Sequence, residues 1–206
     1  MESALQQDKS AVQRGRPREF DTDQALDRAL QVFWRKGYEG ASMSELTEAM
    51  GINRPSLYAA FGNKEALFRK ALDRYAEGPA AYTYKALEEP TALGVVERLL
   101  REAADALTGP DNPHGCLGVH GALTCGDAAQ SIRDELCQRR ARWEEALQKR
   151  LERAEREGDL PADANCADLA QFVATVTQGM AVQAAGGATR KQLRKVAQLA
   201  LQSWPR

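Results

Sequence analysis

Histidine occurs only twice, and aromatic residues fill just 6% of the 206 positions. So few histidines leave few general bases. No glycine-rich phosphate loop, HExxH pair or GxSxG elbow is present either, and the acids form no catalytic cluster. An enzyme is therefore not expected, and neither is a metal or cofactor. The four cysteines, Cys116, Cys125, Cys137 and Cys166, form no CxxC pair and no disulfide framework. Residues 1–13 are polar and contain no signal-peptide core, and no apolar stretch is long enough to span a bilayer. The expectation is a cytoplasmic protein with reduced thiols and no membrane partner. The charges nearly cancel, 28 Lys and Arg against 29 Asp and Glu. That balance argues against coating nucleic acid by bulk electrostatics but leaves room for a local basic patch.

The alternation of Val, Ile, Thr and Tyr that marks strands is also missing. Hydrophobic residues nevertheless make up 43%, enough for a core, and Ala, Leu, Glu, Arg and Gln favour helix. Asp21 is a good N-cap for a first helix with Leu26, Ala29, Leu30 and Phe33 inward and Gly37 at its C-terminal end. Ser42 and Glu45 have capping-box spacing for a helix ending at Gly51. Asn53 caps a short helix over 54–61, with Pro55 in its first turn. Asn63 caps the next, which either runs on toward Leu87 or breaks at Gly78-Pro79. A stripe of Leu93, Val96, Leu100, Ala103 and Leu107 follows Pro90. Further helices are expected over 116–124, from 127 to about 157 with Ile132, Leu136, Trp143, Leu147 and Leu151 inward, over 166–185, and after Thr189. The chain thus reads as all-α with about nine helices. It divides into a flexible basic arm (1–18), a front unit of three to four helices (19–76) and a larger helical bundle (77–206).

Two short helices joined by a turn at Gly51 match a helix-turn-helix, whose second helix enters the major groove of double-stranded DNA. Arg54 can pair with a guanine edge, Ser56 can serve base or phosphate, and Tyr58 and Lys64 can meet the backbone. The segments Gly40-Ala41-Ser42-Met43 and Gly51-Ile52-Asn53-Arg54-Pro55-Ser56-Leu57-Tyr58 through Phe61, Lys64-Glu65 and Leu67 resemble the tetracycline-repressor (TetR) family. Asn53 and Pro55 stand where Ser and Gly are common there, and Pro55 alters which base edges are reached. The resemblance implies a homodimeric repressor on a palindromic operator, released by a small-molecule effector. It also implies phosphate contacts at Tyr58 and Lys64 and backbone contacts at Ser42 and Met43. Whether the chain represses or activates is left open by its residues; repression is the family's habit. Arg14-Gly15-Arg16-Pro17-Arg18 resembles an AT-hook core, suited to a narrow A·T-rich minor groove. A protein that coats DNA is the rival reading of that arm.

The small residues between 168 and 185, with Leu193, Val196, Leu199 and Trp204, suit half of an intersubunit four-helix bundle or else an internal core. Expected effector-binding residues are Cys116, Leu117, His120, Trp143, Leu147, Phe172 and Val176, with Val119 as a further wall. Cys116 at a helix start could carry a reactive thiolate, and its Gly-Cys-Leu context resembles electrophile-sensing members of the family. A buried inert thiol is the alternative. Cys116 and His120 share a helical face with Cys125 beyond, but no second close pair completes a metal site.

Overall fold

The computed structural model describes residues 20–123 and 129–205. Within them the regular structure is helical throughout. The elements are α1 (Thr22–Gly40), α2 (Met43–Met50), α3 (Arg54–Phe61), α4 (Lys64–Glu77), α5 (Tyr82–Lys85), α6 (Ala92–Ala106), α7 (Leu117–Leu123), α8 (Gln130–Arg156), α9 (Cys166–Ala185) and α10 (Arg190–Gln202), with a 3-10 turn, Ala86–Glu88, before α6. Among the described residues there are ten α-helices where about nine are expected, because the chain does break after α4. Gly78 closes α4 through its N–H to Arg74 O, and α5 forms separately.

Local chemistry sets the helix starts. The side chains of Asp21, Asn53, Asn63 and Asn165 accept from backbone N–H groups in the first turns of α1, α3, α4 and α9. Ser42 with Glu45 and Thr189 with Gln192 form complete capping boxes on α2 and α10. Glu45 also pairs with Lys36, and that bond, followed by those from Ser42, holds its carboxyl down at about 2. Gly37, at φ 70 and ψ −179, interrupts α1 after Lys36.

Two cores fill the molecule. The first packs Phe33, Leu46, Leu57, Leu67 and Phe68 of the front helices, and continues through Leu117, Ile132 and Leu136 of α7 and α8. The second joins Val95, Leu99 and Leu100 to Leu147, Leu151, Val173, Met180, Leu193 and Trp204. Cys116 packs against both. Ion pairs tie α4 to α8, Arg139 Nη2 to Asp73 at 2.7 Å and Arg69 Nη1 to Glu135 at 3.3 Å. A buried Arg150 pins α8 to the turn before α6, donating to the carbonyls of Leu87, Glu89 and Pro90.

Some expected inward residues face out. Leu93 is 42% exposed, because Ala92, Val95, Val96 and Leu99 form the buried stripe of α6. On α9 the small residues divide. Ala170, Ala174, Ala181 and Ala184 pack internally, while Gly179 and Ala185 are exposed, as are the larger Phe172 and Val182.

Candidate DNA interface and effector cavity

The turn between α2 and α3 depends on Gly51, whose φ of 70 and ψ of 29 lie in the left-handed region. Its N–H bonds Glu48 O, and Ile52 N–H bonds Thr47 O at 3.1 Å. α3 is thereby set on the front core through Leu57 and Phe61, both buried. The same helix turns Arg54, Pro55 and Tyr58 to solvent, Tyr58 at 51% exposure, with Ser56 half-buried. Ser42 is exposed and Met43 half-buried at the start of α2. Lys64 opens α4 with its ammonium 4.6 Å from the centroid of the Tyr38 ring. Burial pushes the Lys64 ammonium below its ordinary value, opposed by the Glu39 charge. A nearby phosphate would favour the charged form again. The sequence signals Tyr38 only by its place one residue after the Gly37 break. Arg14, Arg16 and Arg18 lie outside the described residues.

Behind this face lies a mainly apolar cavity of about 400 Å³. It opens between the C-terminal half of α4, the α5 region and α7 to α9. Leu72, Tyr75 and Ala76 come from α4, Tyr82 and Tyr84 from α5, Cys116 and Val119 from the α7 end, Leu136 and Trp143 from α8, and Thr177 and Ala181 from α9. Tyr75 is buried on this wall, and that burial, with Cys116 nearby as a lesser influence, raises its pKa well above the ordinary value. Trp143 Nε1 donates to Thr83 O at 3.4 Å.

Of the residues proposed from sequence to meet an effector, Cys116, Trp143 and the further wall Val119 line this cavity. Leu117 and Leu147 are fully buried core. Val176 packs against the second core, and Phe172 is 38% exposed. His120 places its ring against Gly115, with Nδ1 3.1 Å from Cys116 O. That contact ties the ring to the backbone, and no group of three metal-ligating side chains forms among the described residues. Cys125 lies outside them. Sequence pattern does not mark Tyr75, Tyr82 or the arginines 139, 140 and 142 as cavity residues. Tyr75 reads as one more member of the α4 stripe. The arginine run beside Trp143 was the available signal for the rim.

The cavity is wired to the front unit twice. α4 carries cavity residues at one end and Lys64 at the other. α1 meets the loop before α7, where Trp34 Nε1 donates to Gly115 O at 3.2 Å and Gln31 Nε2 to Asn112 Oδ1 at 3.1 Å.

The profile of bacterial regulatory proteins of the tetR family matches residues 25–71, and that of the tetracyclin repressor-like C-terminal domain matches residues 92–200. The chain is 37% identical over 194 residues to the HTH-type transcriptional repressor ComR of Escherichia coli, covering 93% of this chain and 92% of ComR. It is 32% identical over 187 residues to the repressor BdcR of the same organism, covering 90% of each. Its fold is similar to that of the TetR family regulator CifR, solved as a cysteine-substituted variant with a 26-base-pair operator DNA. That match has a TM-score of 0.88 and 46% identity over 92% of this chain and 100% of that one. No helix among the described residues is long and apolar enough to cross a membrane.

Proposed function

The chain belongs to the TetR family of bacterial regulatory proteins, and from that membership we propose that it is a homodimeric repressor which a small molecule releases from a palindromic operator. It acts in the cytoplasm and catalyses no reaction. The observation that carries this reading is the course of α4. Its first residue, Lys64, follows α3 after two residues and lies over the Tyr38 ring of the front unit, and its last turns wall the cavity. A helix of 14 residues is about 21 Å long. A ligand that shifts its far end therefore moves the near end relative to a half-site spacing fixed by DNA. Half-sites about 10 base pairs apart, or a multiple of that, suit one reading helix per protomer. Release requires the ligand to bind the off-DNA arrangement more tightly. The front unit over 19–76 reads DNA, residues 77–206 sense and dimerise, and the arm over 1–18 supports binding in the minor groove.

Anchoring and reading residues separate experimentally. Lys64→Ala and Tyr58→Phe should weaken binding to every sequence alike. Lys64→Ala should also lower the slope of log affinity against log salt by about 1, since one lost phosphate contact retains about one counterion. Arg54→Ala should instead relax preference at one base position, costing about 1–3 kcal/mol. Salt titrations on a systematically varied operator measure both, and an unchanged slope in Lys64→Ala would remove the phosphate assignment.

A second reading follows from Cys116, which lines the cavity and packs against both cores. An electrophile entering there would be attacked by the Cys116 sulfur and would part the two cores it touches. With N-ethylmaleimide as the probe, Cys116→Ser should bind operator normally and fail to release it. Release by Cys116→Ser at the wild-type rate would leave only reversible binding.

A further inference from the structure

Three guanidiniums and two carboxylates stand on the wall of the cavity: Arg139, Arg140 and Arg142 against Asp73 and Glu135. Both carboxylates are already engaged. Arg139 bonds Asp73 at 2.7 Å and Glu135 at 2.8 Å, and Glu135 also pairs with Arg69. Arg140 and Arg142 pair with no carboxylate among the described residues. Arg140 is half-buried and held in place, Nη1 donating to Gly118 O at 2.8 Å and Nη2 to Cys137 Sγ at 3.3 Å. A guanidinium has five N–H donors, so most of its capacity is unused. Arg142 is exposed and makes one long bond, 3.3 Å, to Gln138 O on its own helix. Tyr82 adds a further donor on the wall. Its hydroxyl hydrogen-bonds to no described residue, and burial raises its pKa so that it keeps its proton. The rest of the wall is mainly apolar or aromatic, from residues such as Leu72, Val119, Leu136 and Trp143, with Thr83, Thr177 and Gln178 as its neutral polar members.

We infer that the molecule this cavity takes is an amphipathic organic anion: an apolar body the size of a fused aromatic bicycle, seated among the aromatic walls, with one carboxylate held by Arg140, Arg142 and Tyr82. The inference rests on the reading of the cavity as the effector site and adds the chemical class. A cationic head would meet two guanidiniums that no described carboxylate pairs with. A neutral head would leave them solvated and gain only one ordinary hydrogen bond. A carboxylate gains charge-assisted bonds that a planar guanidinium can make in pairs.

The test uses the full-length protein and three ligands that differ only in the head group: naphthoate, naphthylmethanol and naphthylmethylamine, titrated by calorimetry. Naphthoate should bind at least about 10-fold more tightly than the alcohol, the factor a charge-assisted hydrogen bond supplies, and the amine should bind most weakly. In R140Q/R142Q, naphthoate should fall to the level of the alcohol while the alcohol is unchanged. R142Q, whose residue is exposed and supports no other element, should lose part of the preference without risk to the fold. An alcohol or amine that binds as well as naphthoate overturns the inference, as does a preference that survives both substitutions or a failure of all three ligands to bind. Operator release measured on the same samples separates the two levels. Selective naphthoate binding without release keeps the anion site and removes induction through the cavity. Equal binding and equal release by naphthoate and the alcohol does the reverse.

Discussion

Leu199→Glu is expected to convert the protein to a folded monomer and to lower affinity for a full palindromic operator by about 1,000-fold, the lower end of the gap between specific and nonspecific DNA binding. Leu199 is 65% exposed, and Val196 on the same helix is 41% exposed. A neighbouring side of α10 already buries Leu193, Ala197 and Ala200. The helix thus has two apolar faces, of which the molecule's own core accounts for one. α9 repeats the pattern, with Phe172 at 38% and Val182 at 44% exposure. Between them stands Gly179, where an added Cβ would meet nothing within 4 Å. Two packed helices that each turn apolar residues outward, with a gap at a glycine, suit the close packing of a second copy related by a two-fold axis. Across such an axis a glutamate faces its own copy or an apolar neighbour, and either costs desolvation of a charge. The side chain lies outside the internal core, so helix content and the urea midpoint at low protein concentration should match those of a dilute wild-type sample. Sedimentation equilibrium and operator gel shifts read the two effects. A variant that stays dimeric and binds the operator normally would place the interface on another face.

How far this architecture was legible in the sequence depended on whether a feature was local. The starts of α1 to α4 and of α10 follow from Asp21, Ser42 with Glu45, Asn53, Asn63 and Thr189. Each satisfies an N–H within three residues of itself, so no distant contact is needed to decide it. The breaks at Gly37 and Gly51 follow from positive φ at residues without a Cβ. The direction of an apolar residue on a helix with two such faces was not legible. Periodicity gives Leu93, Val196 and Leu199 an apolar stripe but does not say whether the stripe meets this chain or another. The cavity was partly legible. Cys116, Val119 and Trp143 stand on its wall, but so do Tyr75 and Tyr82, whose place there depends on how α4 and α5 pack against α7 to α9 and not on any local pattern. The arginine rim was hidden for a different reason. A run of arginines on a helix reads as a solvated face until the partners of each one are known, and only the structure shows that Arg139 takes up the nearby carboxylates while Arg140 and Arg142 do not.

Phe68→Ala should cost about 3–5 kcal/mol of folding stability, the range for removing a fully buried aromatic ring and leaving the space partly unfilled. Phe68 is completely buried on α4. Its ring meets Phe33 of α1 edge-on at 4.9 Å between centroids and Tyr38 at 5.2 Å. On its other side is α7, where a Cβ added to Gly121 would come within 3.8 Å of Phe68 Cζ and 3.0 Å of Leu136 Cδ1. The ring therefore fills the space between the DNA-reading helices and the helices that lead to the cavity. Removing it should loosen the junction as well as the front unit. Relaxation cannot close the gap easily, because α4 is held on both flanks, by Arg74 to Asp27 of α1 and by Asp73 to Arg139 of α8. Phe68→Leu keeps most of the volume and should cost less than half as much. Urea unfolding at one fixed protomer concentration measures both, since dimerisation adds to apparent stability. If the front unit and α7 share a core as described, Phe68→Ala lowers the midpoint with the slope unchanged in one transition. A cost under about 1 kcal/mol, far below the range for a buried ring, or a second transition with the front helices melting alone, would mean that the first core ends at α4 and that α7 merely rests against it.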